Sequence, residues 1–137
     1  MSRPVPLPDA LSAPYWEAAA RHQFVLARCS ACDTFSHPPD VTCPACHTPD
    51  PEFRFEPVSG RGTIRTWTVI RQSFLSGLEI PFMLVDVQLD DHPHIRMLGR
   101  LLDGPEAEVA IGDPVSVAFD DVAQGVAVPA FRLEPRA

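Results

Sequence analysis

The chain contains no lysine: all eleven of its basic residues are arginine, set against eighteen acids for a formal net charge of -7. That absence excludes a mechanism built on a lysine Schiff base. The shortage of positive charge also argues against nucleic acid as a partner, because affinity there rests largely on neutralising phosphates. The first residues, "MSRPVPLPDALSAPYW", lack an apolar run long enough for a signal peptide. No later segment approaches the roughly 20 apolar residues that a bilayer span needs. The expectation is a cytoplasmic protein that does not engage membranes. The chain also lacks a Gly-rich phosphate loop, a G-x-S-x-G elbow, an H-E-x-x-H pair, internal repeats and low-complexity stretches. Its 137 residues leave room for one ordinary domain or two very small ones, so the expectation is not a large multidomain enzyme.

What is present favours a packed core. Hydrophobic residues make up 45% of the chain and charged ones 21%, with Leu, Val and Phe spread along its whole length. The 16 prolines gather at the start and around the cysteines, so turns and extended segments should outnumber helices.

The four cysteines fall in two close pairs, Cys29 and Cys32 in "CSAC" and Cys43 and Cys46 in "CPAC", with ten residues between the pairs. Reduced thiols at this spacing point to metal ligation or redox work rather than disulfides. A two-residue spacer lets both thiolates of a pair meet one ion from a tight turn, and two such knuckles complete a tetrahedral four-sulfur shell. The stretch "CPACH" also fits c-type haem attachment, but that reading leaves the first pair unexplained. A thioredoxin-like redox pair would want a strand-to-helix setting, and both pairs here lie among prolines and turn residues. Iron can take the same four thiolates. Zn2+ is the expected metal, in a structural role, since nothing else near the cysteines calls for electron transfer and four thiolates leave no open position. His37 and His47 beside the knuckles are read as polar loop residues.

Around the cysteines, Ser12 is a good helix N-cap and "WEAAARH" has high helix propensity, which predicts a helix over 13–22. "FVLAR" then reads as a short strand leading into Cys29. After "FRFEPVSGRG", taken as a boundary, five β-rich runs follow at 62–71, 81–89, 94–102, 113–121 and 128–134. Met83, Val85, Val87 and Leu89 alternate onto one face, as do Val115, Val117 and Phe119. Five short strands with a long interval after the third suit a closed OB-type barrel, with Gly99 supplying a bend. A sandwich has the same strand count.

In order, "APYWEAA", "CSAC", "CPAC", "SGRGTIRTWTVI", "PFMLVDVQLDD", "LGRL" and "IGDPVSVAF" resemble the DUF35 family. The resemblance covers almost the whole chain. It implies a mainly β protein with an N-terminal segment and helix (1–27), a rubredoxin-like zinc ribbon (28–55) and a C-terminal five-stranded OB-fold (56–137). It further implies a heteromeric accessory subunit of a thiolase-superfamily enzyme, joined to the partner's dimer. Such a subunit would help shape the site for an acyl-CoA thioester, in thiolytic or steroid side-chain retro-aldol cleavage, with the acid/base and nucleophilic chemistry on the partner. Two features depart from the family pattern: Asp40 stands where the family has an Arg in "PPR", and Asp33 and His47 stand where a Gly often follows each knuckle.

Other candidates are weighed on their own residues. Ser76 is a lone serine with no paired base. "LDDHPH" at 89–94 reads as a turn between strands rather than a second metal site. The loop "FLSGLEIPF" concentrates Phe74, Leu75, Leu78, Ile80 and Phe82 beside a Gly, a composition suited to contact with a partner or an acyl chain as well as to core packing. Arg61 and Arg71, and with them Arg65, are candidates to meet a CoA phosphate or a partner carboxylate. Two rival functions remain: a single-stranded nucleic-acid module, for which Trp67, Phe74 and Phe82 would be stacking residues, and a free-standing acyl-CoA-binding protein.

Overall fold

A computed structural model of the chain describes residues 3–135; the outer ends of the expected first and last segments, 1–2 and 136–137, lie outside the described residues. Helix α1 (Ala13–Ala20) begins where Pro14 costs nothing, since a first-turn residue has no N–H bond to lose. Ser12 does not cap it. Its backbone is already helical (φ -96°, ψ -9°) and its side chain makes no capping bond. Asp9 instead organises the entry: its carboxylate accepts both the Ser12 N–H and hydroxyl at 2.7 Å, and its carbonyl accepts the Ala13 N–H at 2.8 Å. The helix is also shorter than expected. His22 turns left-handed (φ 58°), and the N–H groups of His22 and Gln23 return to the carbonyls of Ala19 and Ala18, which closes the end two residues early.

Strands β1 (Val25–Cys29), β2 (Phe35–Ser36) and β3 (Phe53–Pro57) form an antiparallel sheet in the order β2-β1-β3. The segment expected to be a boundary, "FRFEP", is therefore a strand, paired from Val25 with Pro57 to Cys29 with Phe53. The five expected C-terminal runs all form: β4 (Arg61–Ile70), β5 (Phe82–Leu89), β6 (Arg96–Arg100), β7 (Pro114–Ala123) and β8 (Val126–Leu133). They make one antiparallel sheet in the order β6-β5-β4-β7-β8. The "LDDHPH" turn also ties the two sheets together: the His94 ring bonds to the Phe35 carbonyl at 2.7 Å, and the His92 ring packs on that of Phe35.

Alternation along β5 buries Met83, Val85, Val87 and Leu89 and turns their neighbours outward, as a strand with one core face requires. These side chains share a single hydrophobic cluster with Tyr15, Phe24 and Leu26 from the first part of the chain and with Ile64, Val115 and Phe131. Val117 and Phe119 pack against it half-buried.

The expected five-stranded sheet is present, but it curls without a closing ladder, so the barrel is loose. Among the described residues its edge strands β6 and β8 are joined by one parallel bridge, between Leu101 and Phe131, with the Leu102 N–H on the Phe131 carbonyl at 2.9 Å. Pro129 explains why the pairing stops there. Two residues before Phe131, it faces the same side of β8 and has no N–H to donate. Gly99 lies at this crossing, and its role is close approach: a Cβ there would sit 2.7 Å from two ring carbons of Phe131, which is fully buried.

Gly99→Ala should therefore destabilise the protein by about 1–3 kcal/mol, because a buried ring held from all sides cannot retreat from an added methyl. Urea unfolding of the two proteins checks this; equal midpoints would mean that the seam opens freely.

Candidate functional site

The two knuckles are built alike. "CSACDT" and "CPACHT" each turn so that the N–H of the fifth residue bonds to the carbonyl of the first, Asp33 to Cys29 and His47 to Cys43, both at 2.8 Å. The N–H of each first Cys bonds in turn to the carbonyl of the sixth residue, Thr34 or Thr48. The fifth residue must then be left-handed, and Asp33 (φ 62°) and His47 (φ 63°) both are. Asp33 and His47 thus take a left-handed position without being glycine. Asp33 is held by Arg54, whose guanidinium lies 3.0 Å from its carboxylate.

All four Sγ atoms lie within 4.8 Å of one another, Cys29 to Cys46 at 3.9 Å and Cys32 to Cys43 at 3.7 Å. Sulfurs set about 2.3 Å from a tetrahedral zinc ion would be about 3.8 Å apart, so the donor set and its size fit Zn2+. The Thr48 hydroxyl lies 3.1 Å from the Cys46 sulfur and, with the Thr48 backbone, lowers that thiol's pKa to about 6. Thr34 lowers Cys32 in the same way, while burial raises Cys29. Threonine at the same place in each knuckle therefore favours the thiolate that a metal takes. Zinc held by these four residues would be fully coordinated, a fixing point and not a reaction centre. His37 and His47 stand apart from the cluster; the His37 ring packs on Tyr15 at 5.0 Å, and burial lowers its pKa.

The other predicted residues do not form one surface. Arg71, Phe74 and Leu75 stand at the end of the β4–β5 hairpin, with Phe74 wholly exposed and Leu75 56% exposed. Leu78 and Phe82 turn back to a cleft of about 220 Å3 shared with Leu84, Leu98 and Arg100, where the Arg100 guanidinium covers the Phe82 ring at 4.9 Å. Arg61 begins β4, roughly 30 Å away along a strand of about 3.3 Å per residue. Sequence reasoning gave little weight to the outer half of β4. There Arg65, Trp67 and Thr68 are exposed because β7 pairs with β4 only at Arg61, Gly62 and Thr63. Nothing local in "TIRTW" announces this, since periodicity alone does not say which neighbour departs. Among the described residues no helix is long and apolar enough to cross a membrane.

Comparison with known proteins agrees with this architecture. The model of the rubredoxin-like zinc ribbon domain of ChsH2 matches residues 16–52, and that of the C-terminal OB-fold domain of ChsH2 matches 55–120. The chain is 28% identical over 132 residues to a probable enoyl-CoA hydratase alpha subunit of Thermomonospora curvata, covering 95% of this chain and 40% of that protein. It is 30% identical over 128 residues to the 3-oxo-4,17-pregnadiene-20-carboxyl-CoA hydratase alpha subunit of Mycobacterium tuberculosis, covering 83% and 38%. It thus spans about two fifths of the length of these relatives. Among solved structures, a chain of an Ltp2-ChsH2(DUF35) aldolase superposes with a TM-score of 0.80 at 26% identity, over 93% of this chain and 98% of that one. A DUF35 protein of Sulfolobus solfataricus shares the fold, with a TM-score of 0.60 at 12% identity over 91% and 86% of the two chains.

The purified protein should carry one zinc ion per chain, with four sulfurs about 2.3 Å from it by X-ray absorption. Cys43→Ser should lower the metal content and remove hydrogen-exchange protection across the knuckles, while the Leu26 amide keeps its own because the hydrophobic cluster holds that residue. Loss at Leu26 as well would make metal and core one cooperative unit.

Proposed function

Because the chain belongs to the DUF35 family, with the zinc ribbon and OB-fold of the ChsH2 type, we propose that it is an accessory subunit of an enzyme complex acting on acyl-CoA thioesters. Its partner in this reading is a thiolase-superfamily protein, joined in a heteromer through the partner's own dimer, and Cys29, Cys32, Cys43 and Cys46 hold a structural zinc ion. The reaction is the cleavage of a carbon–carbon bond, in a thiolase or retro-aldol sense, with a lipid or steroid side chain as the acyl group. The observation that carries the reading is the superposition, along nearly its whole length, on one chain of an aldolase whose name joins Ltp2 to a DUF35 component.

The surface supports the same reading. A phenylalanine left wholly in water at a loop tip, beside a half-exposed leucine, is the kind of apolar anchor that partner interfaces bury. Arg71 at the base of this loop offers a guanidinium suited to a partner carboxylate or a CoA phosphate, and Arg61 offers another at the far end of β4. Leu78 and Phe82 line a cleft on the same hairpin that would accept an apolar chain.

Affinity purification of the tagged chain from its host, followed by mass spectrometry, should recover a thiolase-fold protein in stoichiometric amount. The complex should cleave an acyl-CoA, and the isolated chain should not. Phe74→Asp with Leu75→Asp should weaken assembly at least tenfold while the circular dichroism spectrum stays unchanged. Turnover by the pure chain, or recovery of nucleic acid in place of a protein, would overturn the reading.

A further inference from the structure

Among the described residues no strand pairs with the outer half of β4 on the side away from β5, and the polar groups of this edge can be assigned from the register. The Met83 carbonyl faces β6, where it accepts the Leu101 N–H. By period two, Val85 also faces β6, while Leu84 and Asp86 face β4. Their partners on β4 are Thr68 and Thr66, so these two residues carry the bonded pairs. Trp67 and Val69, opposite Val85 and Met83, therefore turn their N–H and C=O groups away from β5. On that side β7 has already left: the last contacts are the Ile64 N–H to Asp113 and the Gly112 N–H to Ile64. A register shift between Ile64 and Thr66 marks the point of divergence.

Natural edges are blunted by a proline, by charged side chains, by a bulge or by a covering loop. This one, "RTWTVIR", begins at a bulge and has an arginine at each end, but between them it carries no proline and no charge, is rich in β-branched residues and leads directly into the loop with Phe74. Arginines flank it, Arg65 and Arg71, both exposed and both without an ion pair or hydrogen bond among the described residues. Two free guanidiniums at the ends of one edge, in a chain of net charge -7, select what lies there.

We propose that the outer edge of β4 receives an extended segment of the partner subunit by strand addition. Trp67 and Val69 would supply two donors and two acceptors, and carboxylates on the incoming segment would meet Arg65 and Arg71. The proposal rests on the accessory-subunit reading and adds the manner of docking. A second copy of this chain fits poorly. The antiparallel register that pairs Trp67 of one copy with Val69 of the other sets Arg65 opposite Arg71 twice, and like charges directly opposed are unfavourable.

The test uses the full chain and the thiolase-fold subunit that copurifies with it. Residue-resolved hydrogen exchange should show the Trp67 and Val69 amides slowing at least tenfold in the complex, with smaller changes at Thr66 and Thr68, which are already bonded to β5. Val69→Pro removes one outward N–H and leaves the β4–β5 ladder intact, so it should weaken the complex at least tenfold while exchange at β5 and β6 is unaltered. Arg65→Glu with Arg71→Glu should slow association at low salt, and this difference should shrink as salt is raised. A complex that forms without slowing either amide, or that tolerates Val69→Pro, would overturn strand addition and leave the accessory-subunit reading standing. Failure of any thiolase-fold subunit to copurify would overturn both. A homodimer that Val69→Pro converts to monomer in sedimentation would make the occupant a second copy and overturn the proposal.

Discussion

The packing of β1 against the curled five-stranded sheet is the contact on which the rest of the molecule depends. Leu26, with no exposed surface, belongs to the same cluster as Ile64, Val85 and Phe131, so the small sheet has no core of its own. At one end β1 delivers Cys29 to the first knuckle; just before its other end, the Phe24 carbonyl accepts the Val58 N–H at 3.1 Å and sets the path of the chain from β3 into β4. Burying a leucine of this kind contributes about 1.5–3 kcal/mol. That is a substantial share of what a domain of this size has to spare.

The knuckles lie beyond the reach of that core. Between Ser30 and Glu52 only Ser36 and Cys43 are buried, and β2 is two residues long, so hydrophobic burial cannot fix this stretch. The matched turns supply the geometry instead, and a metal at the four sulfurs would supply the binding energy. The division of labour is physical: apolar area holds β1 and the curled sheet, and coordination would hold the loop that projects from them.

Much of this was legible in the sequence, because it follows from patterns with a single physical reading. Alternation in "MLVDVQL" has one solution once a face is buried, and C-x2-C spacing has one natural geometry around a metal. The features that escaped share a different property, dependence on a neighbour that local sequence does not name. "FRFEP" carries Arg54 and Glu56 and ends in Pro57, so it scores poorly as a strand; it is one because β1 lies beside it and pairs all five residues. Ser12 has the right side chain for a cap, yet Asp9, three residues earlier, takes its N–H and hydroxyl first. Gly99 has the composition of a bend and is in fact the clearance for a ring 32 positions later. The barrel is looser than expected for the same reason: β6 and β8 meet at Leu101 and Phe131, and Pro129 withholds the next donor on that side.

Two unpaired stretches of the curled sheet among the described residues, the β6–β8 seam and the outer half of β4, are finished differently, and the difference carries functional meaning. Between β6 and β8 the edge is stitched at Leu101 and Phe131 and then ended by Pro129, which withholds a donor; that seam is closed to further pairing on the β8 side. On the outer half of β4 no residue withholds anything: Trp67 and Val69 keep both of their polar groups outward. An edge left open between its flanking charges is an aggregation hazard for a chain that works alone. Its retention beside a wholly exposed phenylalanine is what an interface would explain, since a partner that covers the edge removes the hazard and uses the same groups for recognition.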